Sequence, residues 1–428
     1  MNYDETLEFL YSQLPAYHRI GKPAYKNNLD NTLALDEYSG NPHRLYKTIH
    51  IAGTNGKGSV SHLIASVLME SGYRTGLFTS PHLRDFRERI RINGKMIPRS
   101  TVIKFVRDHQ PVIKSLKPSF FEMTAAMSFS YFADAGADVA VIETGLGGRL
   151  DSTNIITPVL SVITNVGHDH MDMLGDSLQK IAAEKAGIIK QNVPVVISET
   201  QPETAGIFLS KAEGTDSPLS FADTNFSCIP GGYSKSGKTR NFAVTDLSSG
   251  RVINVESGLH GDYQAGNLKA LFEVFRVMEG FIITEDDILR GIRNVVRNTG
   301  IMGRWQVLGR SPLIVCDTGH NREGLEFVIK QIRNQPKNRL HMVLGFVNDK
   351  DVRSLLSVMP EDAIYYFTRA SVERAMDENV LLSEALRAGL EGKSYRDVRS
   401  AMIAAIGNAE EDDMIFIGGS TFVVAEVV

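Results

Sequence analysis

Short apolar runs alternate with longer segments of helical periodicity along most of the chain. Residues 48–52 are predicted to form a strand, and a helix is predicted over 60–71, before Gly72. The continuous apolar runs at 139–142 and 160–163 are typical of strands covered on both faces of a parallel sheet. This alternation of strand and helix predicts an α/β fold.

The two flanks of this pattern differ from it. The first forty residues have the apolar spacing of helices, followed by a loop at 21–23. Residues 215–258 are rich in Gly, Ser, Lys and Asn, and we interpret them as an antiparallel elaboration or a long hairpin. A further helix is predicted over 265–278.

A second α/β pattern occupies the last part of the chain. Residues 297–303, rich in Gly and Asn, are interpreted as a hinge, and strands are predicted at 313–316, 340–345 and 414–417. We therefore predict two domains, 1–298 and 299–428. The first is a P-loop-type domain with a mainly parallel sheet, and the second is a smaller, Rossmann-like α/β domain.

Composition narrows the class of protein. The chain has 428 residues, of which 43% are hydrophobic, and a net charge of −4, which argues against a broad nucleic-acid-binding surface. Two cysteines, Cys228 and Cys316, are too few for a disulfide framework or a thiolate metal cage, so a cytoplasmic setting is expected. No signal peptide and no membrane span is predicted.

A glycine-rich turn directly follows the first predicted strand. Residues 53–59 read GTNGKGS, and the glycines let backbone N–H groups face a bound oxyanion with no Cβ in the way. Lys57 would reach the terminal phosphates of a nucleotide, and Ser59 would ligate Mg²⁺. The common Walker pattern has Gly where Ile51 stands and Ser or Thr where Gly58 stands. We therefore predict a variant phosphate loop; the alternative is a tight turn without a ligand.

Two candidate metal ligands follow predicted strands. Glu143 lies at the edge where α/β sheets place their ligands, and its carboxylate suits Mg²⁺. His170 follows the strand at 160–163; its neighbour His168, which we interpret as structural, would suggest zinc only with a third soft ligand. Without further context, Glu143 would be a solvated carboxylate and His170 an ordinary core or surface residue.

Several distinctive segments occur in order along the chain. They are 53–59 (GTNGKGS), 79–83 (TSPHL), 119–122 (SFFE), 143–154 (ETGLGGRLDSTN), 169–170 (DH), 183–190 (AEKAGIIK) and 317–321 (DTGHN). Together they resemble the Mur ligase superfamily and, within it, the folylpolyglutamate synthase/dihydrofolate synthase family, and the resemblance spans nearly the whole chain. The last segment departs from the family pattern, since Thr318-Gly319 replaces Gly-Ala between Asp317 and His320.

The resemblance implies roles for individual residues. In similar ligases the lysine matching Lys185 is carbamylated by CO₂; otherwise Lys185, in a helix predicted over 178–189, would be a solvated lysine. The catalytic residues implied are Lys57, Lys185 and His170, and the metal ligands are Ser59, Ser80, Glu143 and His170. The nucleotide contacts implied are Thr54, Asn55, Gly56, Lys57, Gly58, Ser59, Asn267, Arg304, Asp317 and His320. The substrate contacts implied are Phe121, Glu122, Leu150, Asp151 and Ser152.

The resemblance also implies a reaction. ATP would phosphorylate a carboxylate of 7,8-dihydropteroate, of a reduced folate or of both, and L-glutamate would displace the phosphate to form an amide. ATP, two Mg²⁺ ions and a monomeric, cytoplasmic enzyme without nucleic-acid or membrane partners are expected.

Three alternatives stay open at this point. The first is a Mur-type ligase for a nucleotide-linked cell-wall precursor. The second is a P-loop kinase or regulatory NTPase, which predicts ATP turnover independent of glutamate. The third is an inactive binding module.

Overall fold

A computed structural model describes residues 1–14, 28–348 and 350–428, so the loop predicted at 21–23 lies outside the described residues. The chain forms two compact units. The first contains Met1–Gly258 and Gln264–Gly300, and the second contains Leu259–Tyr263 and Ile301–Val428. The predicted domain division, 1–298 and 299–428, stays a prediction.

An eight-stranded sheet forms the centre of the first unit. Six neighbouring strands are parallel, in the order β2-β5-β1-β6-β7-β8, and β3 and β4 extend one edge in antiparallel fashion. Apolar side chains pack on both faces of the sheet. The strands are β1 Lys47–Ala52, β2 Thr75–Phe78, β3 Ile90–Ile92, β4 Lys95–Met96, β5 Val139–Glu143, β6 Leu160–Ile163, β7 Val195–Ile197 and β8 Leu219–Phe221.

Twelve described α-helices belong to the first unit. The short 3₁₀ turns Pro42–Arg44, Phe86–Arg89 and Ser152–Ile155 connect other elements. The helices are α1 Tyr3–Gln13, α2 Asp30–Tyr38, α3 Lys57–Glu70, α4 Arg99–Asp108, α5 Gln110–Leu116, α6 Phe120–Asp134, α7 Met171–Leu174, α8 Leu178–Ala186, α9 Pro202–Glu213, α10 Ala222–Asn225, α11 Gln264–Val277 and α12 Glu285–Thr299.

The segment interpreted as an antiparallel elaboration forms a separate three-stranded antiparallel sheet, which confirms that interpretation. Its strands are β9 Phe226–Tyr233, β10 Arg240–Asp246 and β11 Val252–Ser257. The predicted start at 215 is wrong, because Leu219–Phe221 pairs in parallel with Val195–Ile197 and completes the large sheet.

The second unit is a six-stranded sheet in the order β12-β13-β17-β14-β15-β16, parallel except for β12. The three strands predicted here are confirmed at β13, β14 and β17. The strands are β12 Gln306–Arg310, β13 Leu313–Cys316, β14 Leu340–Leu344, β15 Ile364–Thr368, β16 Gly392–Tyr395 and β17 Met414–Gly418. The helices are α13 Arg322–Arg333, α14 Val352–Leu356, α15 Glu378–Arg387, α16 Val398–Asn408 and α17 Thr421–Ala425.

The C-terminal boundaries of two helices differ from the sequence-based expectation. The helix predicted over 178–189 ends at Ala186, because the carbonyls of Gly187 and Ile188 accept hydrogen bonds from the side chains of Asn154 and Ser161. The helix before the predicted hinge at 297–303 continues to Thr299, so three of those residues are helical. In the described part of the chain, none of the helices has both the length and the apolar character that a membrane span requires.

Candidate active site

Four neighbouring parallel strands of the first unit end at the same edge of the sheet. β1 leads into the phosphate loop, β2 leads to Ser80, β5 ends at Glu143, and β6 leads into residues 164–170. The carboxyl edge of a parallel sheet is where α/β proteins bind their ligands. The fold therefore collects the phosphate loop and the predicted metal ligands of this unit at one edge.

The phosphate loop makes a left-handed turn directly into a helix. Gly56 has a φ of 88°, and the Val60 N–H donates to its carbonyl at 2.9 Å, so helix α3 begins at Lys57. The helix predicted over 60–71 therefore begins three residues too late, because Gly58 is read as part of the turn. The first N–H groups of a helix have no partner within it and attract anions.

A second loop supports the phosphate loop. The Asn55 N–H donates to the side chain of Asn165 at 2.8 Å, and the Thr164 hydroxyl donates to the Asn55 carbonyl at 2.6 Å. The Thr54 hydroxyl accepts from the Gly167 N–H at 2.9 Å. The conformation of the phosphate loop is therefore stabilised by residues of the loop at 164–167.

The Lys57 side chain binds the backbone of its own loop. Its ammonium group donates to the carbonyls of Gly53 at 2.9 Å and Thr54 at 3.1 Å. The side chain is half-buried, so the charge lies at the turn and remains open to a ligand.

Ser59 and Asn267 meet through a residue with no predicted role. Ser59, in the first turn of α3, is 1% exposed, and its hydroxyl accepts from the side chain of Gln264 at 3.3 Å. The Asn267 amide donates to the same Gln264 side chain at 2.8 Å. The two residues predicted to contact Mg²⁺ and ATP therefore share one hydrogen-bonded partner.

The predicted metal ligands lie in the loops at this edge. Glu143 is 3% exposed and accepts from the Ser80 N–H at 3.1 Å. His170 has a φ of 53°, and its Nε2 lies 3.8 Å from Asp169. Among residues 1–14, 28–348 and 350–428, no group of three or more His, Cys, Asp or Glu side chains has the arrangement of a metal site. A set with hydroxyl and carboxylate oxygens still fits Mg²⁺, which keeps several water ligands.

Lys185 is a buried lysine, not a solvated one. It is 2% exposed. Burial holds its pKa well below the usual 10.5, the nearby charge of Lys57 lowers it further, and Asp169 offsets part of the effect. Its neighbour Glu184 points elsewhere and binds Arg149 at 2.8 Å. An uncharged amine near Lys57 is the form that reacts with CO₂.

The two adjacent phenylalanines face different surroundings, as expected for neighbours on a helix. Phe120 is 3% exposed and belongs to the core, whereas the Phe121 ring lies against Gly145 and 5.8 Å from the Phe78 ring. Glu122 is buried and caps α6, accepting from the Ser119 N–H at 2.5 Å. Its predicted contact with substrate stays a prediction.

Asp151 shapes the loop that contains it. It is 4% exposed, and it accepts from the Leu146 N–H at 2.8 Å and from the Thr153 hydroxyl at 2.6 Å. Burial raises its pKa, and these hydrogen bonds offset part of the rise. Leu150 is partly exposed and Ser152 is buried beside it.

The predicted nucleotide contacts of the second unit follow strand β13. Asp317 is 3% exposed and accepts from the Tyr263 hydroxyl at 2.6 Å and the Trp305 N–H at 2.7 Å. Burial raises its pKa, and the Tyr263 hydrogen bond lowers it in part. Arg304 donates to Thr318, the residue that departs from the family pattern. The His320 ring lies 3.0 Å from the Thr318 carbonyl.

Sequence reasoning missed the supporting residues. Thr164 and Asn165 support the phosphate loop, Gln264 joins Ser59 to Asn267, and Tyr263 binds Asp317. One signal existed for Gln264, because it lies three residues before Asn267 and so faces the same side of a helix. The supporting loop gave no such signal, since its contacts span more than a hundred residues of sequence.

Known proteins match this arrangement of fold and site. The family model of the Mur ligase middle domain matches residues 51–274, and that of the Mur ligase glutamate ligase domain matches residues 303–421. The chain is thus a Mur-type, ATP-dependent ligase.

Individual relatives narrow the class. The dihydrofolate synthase/folylpolyglutamate synthase of Bacillus subtilis is 32% identical, over 91% of each chain. The solved structure of Escherichia coli FolC in complex with DHPP and ADP matches with a TM-score of 0.86 and 26% identity, over 100% of this chain and 97% of that one. The chain belongs to the folylpolyglutamate synthase/dihydrofolate synthase family.

Some relatives are longer than this chain. A probable bifunctional folylpolyglutamate synthase/dihydropteroate synthase of Haloferax volcanii is 32% identical over 100% of this chain, which spans 50% of that relative.

Proposed function

We propose that the protein joins L-glutamate to 7,8-dihydropteroate and to the γ-carboxylate of reduced folates, using ATP and an acyl-phosphate intermediate. The observation that carries this proposal is the shared edge of β2, β5, β1 and β6, where the phosphate loop, Ser80 and Glu143 meet. The Escherichia coli FolC structure, which holds DHPP and ADP, supports adenine-nucleotide binding by this chain.

The reaction needs activation because a free carboxylate does not form an amide in water. A carboxylate oxygen of the folate attacks the γ-phosphorus of ATP, and ADP leaves. The glutamate amine then attacks the acyl carbon, and inorganic phosphate leaves with the former carboxylate oxygen. Phosphoryl transfer of this kind depends on alignment and on neutralisation of charge rather than on covalent help from the protein.

Lys57 and the N-terminus of α3 supply positive charge for the phosphates. Lys57 exchanges its bonds to the Gly53 and Thr54 carbonyls for bonds to phosphate oxygens. The backbone N–H groups from Gly56 to Ser59 would surround the β-phosphate, since those of Thr54 and Asn55 already donate to Asn165. Because the loop is supported by Asn165 and Thr164, these groups need little reorganisation during the reaction.

Ser59, Ser80, Glu143 and His170 would hold divalent metal, with two Mg²⁺ ions expected. When bound, Mg²⁺ neutralises charge that develops on phosphate oxygens. The Ser80 N–H bond to Glu143 orients the carboxylate for this task.

Lys185 would act as a carbamate. Its uncharged amine adds to the carbon of CO₂ and releases one proton, which gives an anion near Lys57. The burial of Lys185 and its lowered pKa support this step.

The remaining contacts are assigned by position. Phe121, whose ring lies against Gly145, would border the pterin ring. The segment that follows Gly145 in sequence would contribute Leu150, Asp151 and Ser152. Glu122 would hold the start of α6. Asn267 would contact the nucleotide, and Arg304, Asp317 and His320 are further proposed nucleotide contacts. We assign ATP binding to residues 1–298 and the second ligase domain to residues 299–428, and we expect a cytoplasmic monomer.

An assay of ADP release tests the proposal. Purified protein receives ATP, Mg²⁺ and L-glutamate, with dihydropteroate or tetrahydrofolate added separately. We expect ADP release that depends on both glutamate and a pteridine substrate. ADP release without glutamate would favour a regulatory NTPase. If neither dihydropteroate nor tetrahydrofolate stimulates ADP release, the proposal is contradicted.

A further inference from the structure

A fully buried glutamine connects helix α3 to helix α11. Gln264 is the first residue of α11 and is 0% exposed. Its Nε2 donates to the Ser59 hydroxyl at 3.3 Å, and its Oε1 accepts from Asn267 Nδ2 at 2.8 Å. Both ends of the amide are therefore used within one cluster of three side chains.

The direction of these hydrogen bonds determines which atoms Ser59 and Asn267 offer to a ligand. Because Ser59 accepts from Gln264, its own O–H and one lone pair remain for other partners. Because Asn267 donates its Nδ2, its Oδ1 remains as an acceptor. This Oδ1 lies against the phosphate loop, since a Cβ built on Gly56 would approach it to 2.6 Å.

Packing alone does not call for an amide at this position. A buried amide is costly unless both of its ends are hydrogen-bonded, and an apolar side chain of similar volume would fill the space. The buried amide occurs where its two partners are the residues assigned to Mg²⁺ and to ATP.

We propose that Gln264 is a positioning residue that holds Ser59 and Asn267 in a single orientation for Mg²⁺ and nucleotide. This inference rests on the proposed function. Gln264 touches neither ligand and acts through the two side chains it binds. Loss of its amide weakens metal-dependent nucleotide binding and leaves the affinity for the pteridine substrate unchanged.

The test is calorimetric titration of the full chain with ADP in the presence of Mg²⁺. For Gln264→Met we expect the Kd for ADP to rise about 10- to 100-fold, the range found when residues supporting a metal site are removed. The KM for tetrahydrofolate should stay within about twofold of the wild-type value. An unchanged Kd for ADP in Gln264→Met would overturn the proposal.

Glu273→Met provides the matched control. Glu273 lies on the same helix, is also 0% exposed, and binds Arg276 at 2.7 Å, away from the phosphate loop. This variant loses a buried polar group, so its thermal unfolding temperature falls, but its Kd for ADP should not change. If Glu273→Met weakens ADP binding as much as Gln264→Met does, the effect is general destabilisation and the proposal is wrong.

A second cycle separates positioning from direct contact. If Gln264 acts through Ser59 and Asn267, then Gln264→Met should raise the Kd for ADP little further in a chain where Ser59 and Asn267 are already replaced by Ala. Additive effects on the Kd for ADP would contradict the proposal. If the wild-type chain itself binds no ADP, the proposed function fails; if it binds ADP and Gln264→Met binds equally well, only this inference fails.

Discussion

Single residues in this protein acquire chemical roles through what surrounds them. Lys57 is half-buried and bonded only to loop carbonyls that a phosphate would replace. Lys185 is enclosed so completely that its charged form is disfavoured. Two lysines near each other thus have different surroundings: one lies half-buried at the phosphate loop, and burial lowers the pKa of the other.

Replacement of Lys57 by Ala should abolish most turnover without unfolding the protein. We expect kcat to fall about 100- to 1,000-fold, the usual effect of removing one group that stabilises transition-state charge. The side chain contributes two exchangeable hydrogen bonds and little packing, so the unfolding temperature should change little. Lys104→Ala, which removes an exposed lysine of α4, is the control. Retained activity in Lys57→Ala would show that the loop does not bind phosphate.

Lys185 should make the activity depend on CO₂. Burial lowers its pKa well below the usual 10.5, which favours the uncharged amine that forms a carbamate. We expect removal of dissolved CO₂ to lower kcat about tenfold, bicarbonate to restore it, and carbon-13 bicarbonate to give a carbamate NMR signal.

Two variants of helix α8 check the assignment of that signal. Lys185→Arg should lack it, while Lys180→Arg, at an exposed lysine of the same helix, should keep it. A signal that persists in Lys185→Arg would refute the carbamate.

At the level of elements, helix α3 depends on close contact with helix α12. Gly291 of α12 packs directly on Val67 of α3, and the Ser66 hydroxyl donates to the Gly291 carbonyl at 2.7 Å. Glu70 accepts from Asn298 at 2.8 Å and from Asn294 at 3.0 Å, which fixes the far end of α3. The helix that carries Ser59 at its start is therefore held along its length.

Replacement of Gly291 by Ala should loosen this contact. The new Cβ would come to 2.6 Å from the Val67 Cα, which forces the helices apart. We expect a loss of about 1–3 kcal/mol in the free energy of unfolding, measured by urea denaturation. Gly206→Ala in α9 is the control, because its Cβ meets nothing within 4 Å and Ala favours a helix by about 1 kcal/mol. Equal stability of the two variants would show that the contact is not tight.

The whole molecule shows which features the sequence could and could not predict. Buried strands such as Val139–Glu143 were predictable because their apolar runs are continuous, and the carboxyl edge followed from the residues after them. Strand Leu219–Phe221 was not predictable, because its place in the large sheet depends on pairing with Val195–Ile197. The end of α8 was missed because Asn154 and Ser161 capture carbonyls that a longer helix would use.

The same distinction applies to the candidate site. Motifs predicted Lys57, Ser59 and Glu143, since each lies at or just after the end of a strand in a recognisable segment. The residues that hold them were missed: Asn165 gave no signal because its contact is distant in sequence, and Gln264 had only its spacing to Asn267.

Transfer of oxygen from the acceptor acid to phosphate reports directly on the acyl-phosphate intermediate. Dihydropteroate or a reduced folate carrying oxygen-18 at both oxygens of the reacting carboxylate is incubated with the protein, ATP, Mg²⁺ and L-glutamate, and the released phosphate is examined by mass spectrometry. An acyl phosphate predicts one labelled oxygen in each phosphate, in step with amide formation. Unlabelled phosphate alongside labelled amide and free acid would contradict the transfer of the terminal phosphoryl group to the carboxylate.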